Sequence, residues 1–180
     1  MSRATLVIGL LALAAIAPST ALAQPAPGPE ARLAGTFQMT GRVTAARNVR
    51  GEHVGETVHR TWTFTPLCAS GPCAQVRVFR GRANTTDTLI VSETSPGHYS
   101  GAGQFFAPLK CGGTVYSTGE AVPYEIKLTI TATTTAPDGT VLASQISATY
   151  VNKSRLNRTR CVIVLGHDSA RYTGTDVTTS

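Results

Sequence analysis

Residues 124–133 alternate without a break: Tyr124, Ile126, Leu128, Ile130 and Ala132 take every second position, and Glu125, Lys127, Thr129, Thr131 and Thr133 fill those between. A repeat of two puts the first set on one face of an extended chain and the second set on the other. A helix would scatter both sets around its axis, so the segment reads as a half-buried β-strand. Pro137-Asp138-Gly139 then supplies turn chemistry. Leu142, Ser144, Ile146, Ala148 and Tyr150 resume the period, which makes residues 124–151 a long β-hairpin.

The same alternation recurs in Phe37, Met39, Gly41 and Val43, and in Val58, Arg60, Trp62 and Phe64. Shorter candidates surround Val76 to Phe79, Leu89 to Val91, Tyr99 to Phe106, Gly113 to Tyr116, Cys161 to Leu165 and Arg171 to Thr175. Beyond the N-terminal region no segment sustains a helical period, and the 27 threonines suit a pleated surface better than a helix. Connections too short for helical crossovers favour antiparallel neighbours. The chain is therefore expected to be all-β, an antiparallel meander of about eight to ten strands. A closed or nearly closed barrel is the first choice because closure removes exposed edges, and a sandwich is the second. Only 14% of the residues are charged, which excludes a long disordered chain.

The first 23 residues show a short basic start at Met1-Ser2-Arg3, an apolar run from Ala4 to Ala17, and the small residues Ala21-Leu22-Ala23. This is the pattern of a secretory signal cleaved after Ala23. Pro18, Ser19 and Thr20 interrupt the run well short of the roughly 20 apolar residues that a transmembrane anchor needs. Gln24 as the new N-terminus gives no cysteine for a lipid anchor. The expected organisation is a signal peptide at 1–23, a Pro-rich flexible leader at 24–32, and one β-domain at 33–180. The location follows as extracellular. The net charge of +6 falls by one when Arg3 is removed.

Export into an oxidising compartment makes four cysteines a framework of two disulfides with three conceivable pairings. Gly71-Pro72 folds the chain back between Cys68 and Cys73, so these two pair and Cys111 is left with Cys161. A zinc site fails on spacing, since only one close cysteine pair exists.

Two segments carry a resemblance. Gly35-Thr36-Phe37 opening the first strand of such a meander is similar to the lipocalin and wider calycin barrels, whose first strand carries Gly-x-Trp; here phenylalanine stands in the tryptophan position. The string from Thr61 to Cys68, followed by Gly71-Pro72-Cys73, resembles the W-x-F-x-P-x-C-x4-C pattern of uncharacterised secreted actinobacterial β-proteins. The resemblance implies an extracellular β-domain and brings no catalytic or binding residue with it.

Candidate chemistry is sparse. Glu52, His53, Glu56 and His59 are the densest group of metal-ligating types, but Gly51 and Gly55 place them in a hairpin loop where imidazoles are solvated, so no metal is expected. His98 and the His167-Asp168 pair read as turn residues, and no Gly-x-Ser-x-Gly elbow offers a nucleophile. No cofactor is implied, and an enzyme, with His53 and His59 as its acid–base pair, ranks third. Arg60 falls between Val58 and Trp62 on an apolar face, where it would stack on Trp62 or anchor an anionic group of a ligand.

Two basic groups, Arg77-Arg80-Arg82 and Lys153-Arg155-Arg158-Arg160, suit attraction to an anionic cell-envelope surface. Export and scarce interleaved aromatics argue against nucleic acid. The leading expectation is a secreted binding barrel for a small apolar or amphipathic ligand, held by Phe37, Arg60, Trp62 and Tyr124, or for an anionic envelope component. The alternative is an inhibitor or protein-interaction module using the Cys68-Cys73 loop.

Overall fold

The computed structural model describes residues 30–49, 51–81 and 86–178, so the signal segment and most of the leader lie outside the described residues. Nine strands form in chain order: β1 Gly35–Arg47, β2 Thr57–Pro66, β3 Gln75–Gly81, β4 Thr86–Ser95, β5 His98–Cys111, β6 Thr114–Thr135, β7 Val141–Asn152, β8 Leu156–Asn157 and β9 His167–Asp176. Each of β1 to β6 pairs antiparallel with the next, β7 pairs with β9, and β9 returns to β1. The result is a closed antiparallel barrel of eight strands. The two-residue β8 adds itself beside Glu120 and Ala121 of β6.

The hairpin expected at 124–151 is β6 and β7, paired from Glu125 with Val151 to Thr135 with Val141. At its turn the Thr140 amide donates to Asp138 Oδ1 at 2.9 Å and the Gly139 amide to the Ala136 carbonyl at 2.9 Å. Of the candidate at Gly113 to Tyr116, Gly113 lies in the turn and Thr114 to Tyr116 belong to the same strand as Tyr124, because β6 runs on for 22 residues. Cys161 to Leu165, by contrast, is not a strand.

Alternation sets the interior. Phe37, Met39, Trp62, Phe64, Val76, Val78, Leu89, Val91, Tyr99, Ile126, Leu128, Ile130 and Ile146 form the main part of one buried cluster. Phe37 meets Phe64 edge-on at 5.2 Å, and Trp62 meets Tyr172 at 5.3 Å. Large side chains face glycines across the strands: Gly103 is the register partner of Tyr124 and Gly41 that of Tyr172. A Cβ at either glycine would overlap the opposing ring, so these two positions stay bare to let the rings lie flat against the wall.

The chain before β1 seals one end. Ala31 and Leu33 are buried, and Arg32 bridges in parallel to Leu142 through Arg32 N to Val141 O at 2.9 Å and Ala143 N to Arg32 O at 3.0 Å. This extends the wall beside β7 past the last rung that β7 shares with β9. The Arg32 guanidinium donates to the carbonyls of Cys68 at 2.9 Å and Gly71 at 3.1 Å. The Cys68–Cys73 disulfide closes that loop, and the Cys111–Cys161 disulfide ties the β5–β6 tip to the segment before β9. Two disulfides fit an extracellular protein. Among the described residues no helix is long and apolar enough to cross a membrane.

Candidate functional site

At the end of the barrel opposite Leu33 the interior turns polar. Arg80 follows Val76 and Val78 on the inward side of β3 and is 4% exposed. Its register partner on β4 is Asp87, and the guanidinium donates twice to Asp87 Oδ2, from Nε at 3.1 Å and from Nη2 at 2.7 Å. The Tyr124 hydroxyl donates to the same oxygen. Three rings surround the cation: Tyr124 at 4.0 Å, Tyr150 at 5.4 Å and Trp62 at 5.7 Å from the guanidinium carbon. Ring faces and a carboxylate together replace the water that a buried charge would lose. Burial, reinforced by the Asp87 hydrogen bond, holds the Tyr124 phenol well above its ordinary pKa against the opposing pull of Arg80.

A second arginine nearby pairs with two carboxylates. Arg155 donates to Glu120 Oε2 and to Asp168 Oδ1, both at 3.0 Å. Burial works against its charge, but the hydrogen bonds of Asp168 and Glu120 outweigh it and raise its pKa above the usual value. Asp168, read from sequence as part of a turn, is a buried residue of β9.

The sequence candidates separate. Arg60 and Trp62 line a cavity with Arg80, Tyr150, Asp168 and Tyr172, but its volume is only about 40 Å³, enough for one to a few waters and far below the roughly 300 Å³ at which ligand pockets begin. Phe37 packs against Phe64, and Tyr124 belongs to the cage around Arg80. Neither lines the cavity. Arg60 donates to the His59 carbonyl at 2.8 Å, and the arginine stacked on Trp62 is Arg80. Of the two basic groups, Arg80 and Arg155 are thus consumed internally, Arg77, Lys153, Arg158 and Arg160 are exposed, and Arg82 lies outside the described residues. His53 sits in the β1–β2 loop with its amide on Glu56 Oε2 at 3.1 Å, and His59 is exposed on β2, 3.5 Å from Thr40 Oγ1.

A wider concavity lies in the wall. β4 and β5 pair only at Ser92 with Ser100, Glu93 with Tyr99 and Ser95 with His98, with a bulge between Glu93 and Ser95. From there towards the polar end no ladder crosses the seam. A cleft of about 600 Å³ lies between Thr86, Asp87 and Thr88 on one side and Gln104, Phe105, Phe106 and Pro108 on the other, with Ser117 and Thr118 at its margin. Pro108 sits at a bulge in β5, where its missing amide breaks no ladder bond. Phe106 is 45% exposed, whereas Phe105 and the Asp87 side chain are buried. Asp87 Oδ1 is buried with no hydrogen-bond partner among the described residues.

Sequence reasoning missed the seam because it depends on where a ladder stops, which strand periodicity does not encode. Arg80 was within reach: it continues the inward phase of Val76 and Val78, the same signal that singled out Arg60. The chain matches no protein-family model, and no curated protein or solved structure matches it either.

Proposed function

We propose that this protein is a secreted binding protein that holds a small amphipathic ligand in the β4–β5 seam and not inside the barrel. The observation that carries this is the contrast in size. The seam cleft, at about 600 Å³, falls within the range of small-molecule sites, whereas the cavity that Arg60 and Trp62 line holds about 40 Å³. Phe105, Phe106 and Pro108 offer an apolar bed, and Thr86, Thr88, Gln104, Ser117 and Thr118 a polar margin.

Asp87 narrows the class. Arg80 already balances its charge, which leaves the margin of the cleft to neutral polar groups and not to a second cation. A ligand with an apolar chain and a hydroxyl headgroup meets both demands. Titration calorimetry with a short-chain monoacylglycerol tests the proposal. Thr88→Trp fills the cleft from an exposed strand position that tolerates an aromatic, and is expected to weaken binding at least tenfold. Unchanged affinity in that variant would overturn the site.

A further inference from the structure

The β5–β6 hairpin outruns the rest of the wall. β7 pairs with β6 no further towards the tip than Glu125, and β8 adds only Glu120 and Ala121, while β5 and β6 continue to Cys111 and Thr114. Residues 153–166 fold onto this extension as a loop whose ends meet at Arg155 N to Gly166 O, 3.2 Å. The loop is held by Arg158 N to Gly119 O at 2.8 Å, by the Arg158 guanidinium 4.5 Å over the Phe106 ring, and by the Cys111–Cys161 disulfide. The two segments make one stapled arm.

Its surface gathers exposed apolar side chains. Val115 is 62% exposed and Tyr116 44%; on the loop, Leu156, Ile163 and Val164 are exposed and Val162 fully so. Residues 106–119 and 153–166 contain Lys110, Lys153, Arg155, Arg158 and Arg160 and no aspartate or glutamate. Arg155 is spent on Glu120 and Asp168, but the other four are exposed. An apolar tip with a collar of unopposed cations and a tyrosine at its edge is the chemistry that seats a protein on a bilayer carrying anionic headgroups.

We infer that this arm docks the protein onto anionic lipid membranes, independently of what the seam binds. The exposed aliphatic residues point to a bilayer over a soluble polyanion, which would engage the cations alone. A second copy of the chain fits less well, because it would set one basic arm against another. The seam cleft opens at the base of the arm, sharing Phe106, Pro108, Ser117 and Thr118.

Co-sedimentation of the full chain with vesicles of equal parts phosphatidylglycerol and phosphatidylcholine is the test. Binding is expected, falling as salt rises, with little on pure phosphatidylcholine. Val162→Ser with Val164→Ser takes away the two most exposed apolar side chains of the arm, and Lys110→Glu with Arg160→Glu reverses two collar charges; each pair is expected to weaken binding about tenfold or more. All four positions are exposed or at the arm surface, and circular dichroism checks that the variants fold. No binding to the anionic vesicles, equal binding to neutral ones, or binding that either pair leaves intact overturns the inference. So does dextran sulfate or glycerol phosphate competing fully while the Val162/Val164 variant still binds, and so does self-association of the free protein through the arm.

Discussion

Arg80 shows what a single inward residue can impose on a barrel. Its charge is tolerable only while Asp87 and the three rings stay in place, and removing one partner strands the other in a low-dielectric interior. Asp87→Ala or Arg80→Ala is expected to cost about 3–5 kcal/mol in denaturant unfolding, whereas Arg80→Met with its similar length should cost less. Burial first, and then Glu93, pushes the Tyr99 phenol up to about 12 from 10.0. A group whose folded pKa is raised stabilises fully below its unfolded pKa, and loses that contribution as pH climbs through the folded one. Stability is therefore expected to fall between about pH 10 and 12. Phenolate absorbance during an alkaline titration should show Tyr99 ionising late, and Tyr99→Phe should flatten the stability loss. At this scale the sequence was half legible: the inward phase of Val58, Arg60, Trp62 and Phe64 was visible, but which arginine met Trp62 depended on the β2–β3 register, where Trp62 faces Arg80.

Among elements, the two disulfides have unequal consequences. Cys111 and Cys161 lie 50 residues apart and Cys68 and Cys73 only 5, so in the chain-entropy view the longer closure contributes about 4 kcal/mol and the shorter about 2 kcal/mol. Replacing Cys111 and Cys161 by serine is expected to lower the unfolding free energy by the larger amount and to release residues 153–166 from the hairpin, seen as faster amide exchange there. Replacing Cys68 and Cys73 should instead loosen the contact with Arg32. Both pairings were legible, because a Gly-Pro turn fixes one and leaves the other. The strands were legible too, wherever one side faced the core. The segment after Cys161 was not, since Val162, Ile163 and Val164 have the composition of a strand but no paired neighbour in the sheet.

For the whole molecule, closure of β9 onto β1 divides the structure into a sealed apolar end, a polar end where two arginines pair with three carboxylates, and a wall that parts between β4 and β5. A filled interior moves the candidate site from Phe37, Arg60, Trp62 and Tyr124 to the seam, and no alternation of residues could have announced that, since each of these four positions follows the inward phase of its strand. The most direct test is backbone NMR of the isotope-labelled protein titrated with a monoacylglycerol. Shifts concentrated at Thr86–Thr88, Gln104–Phe106 and Ser117–Thr118, saturating together, are expected; shifts centred on Phe37 and Ile130 in the sealed core, or none at all, would contradict a ligand site in the seam.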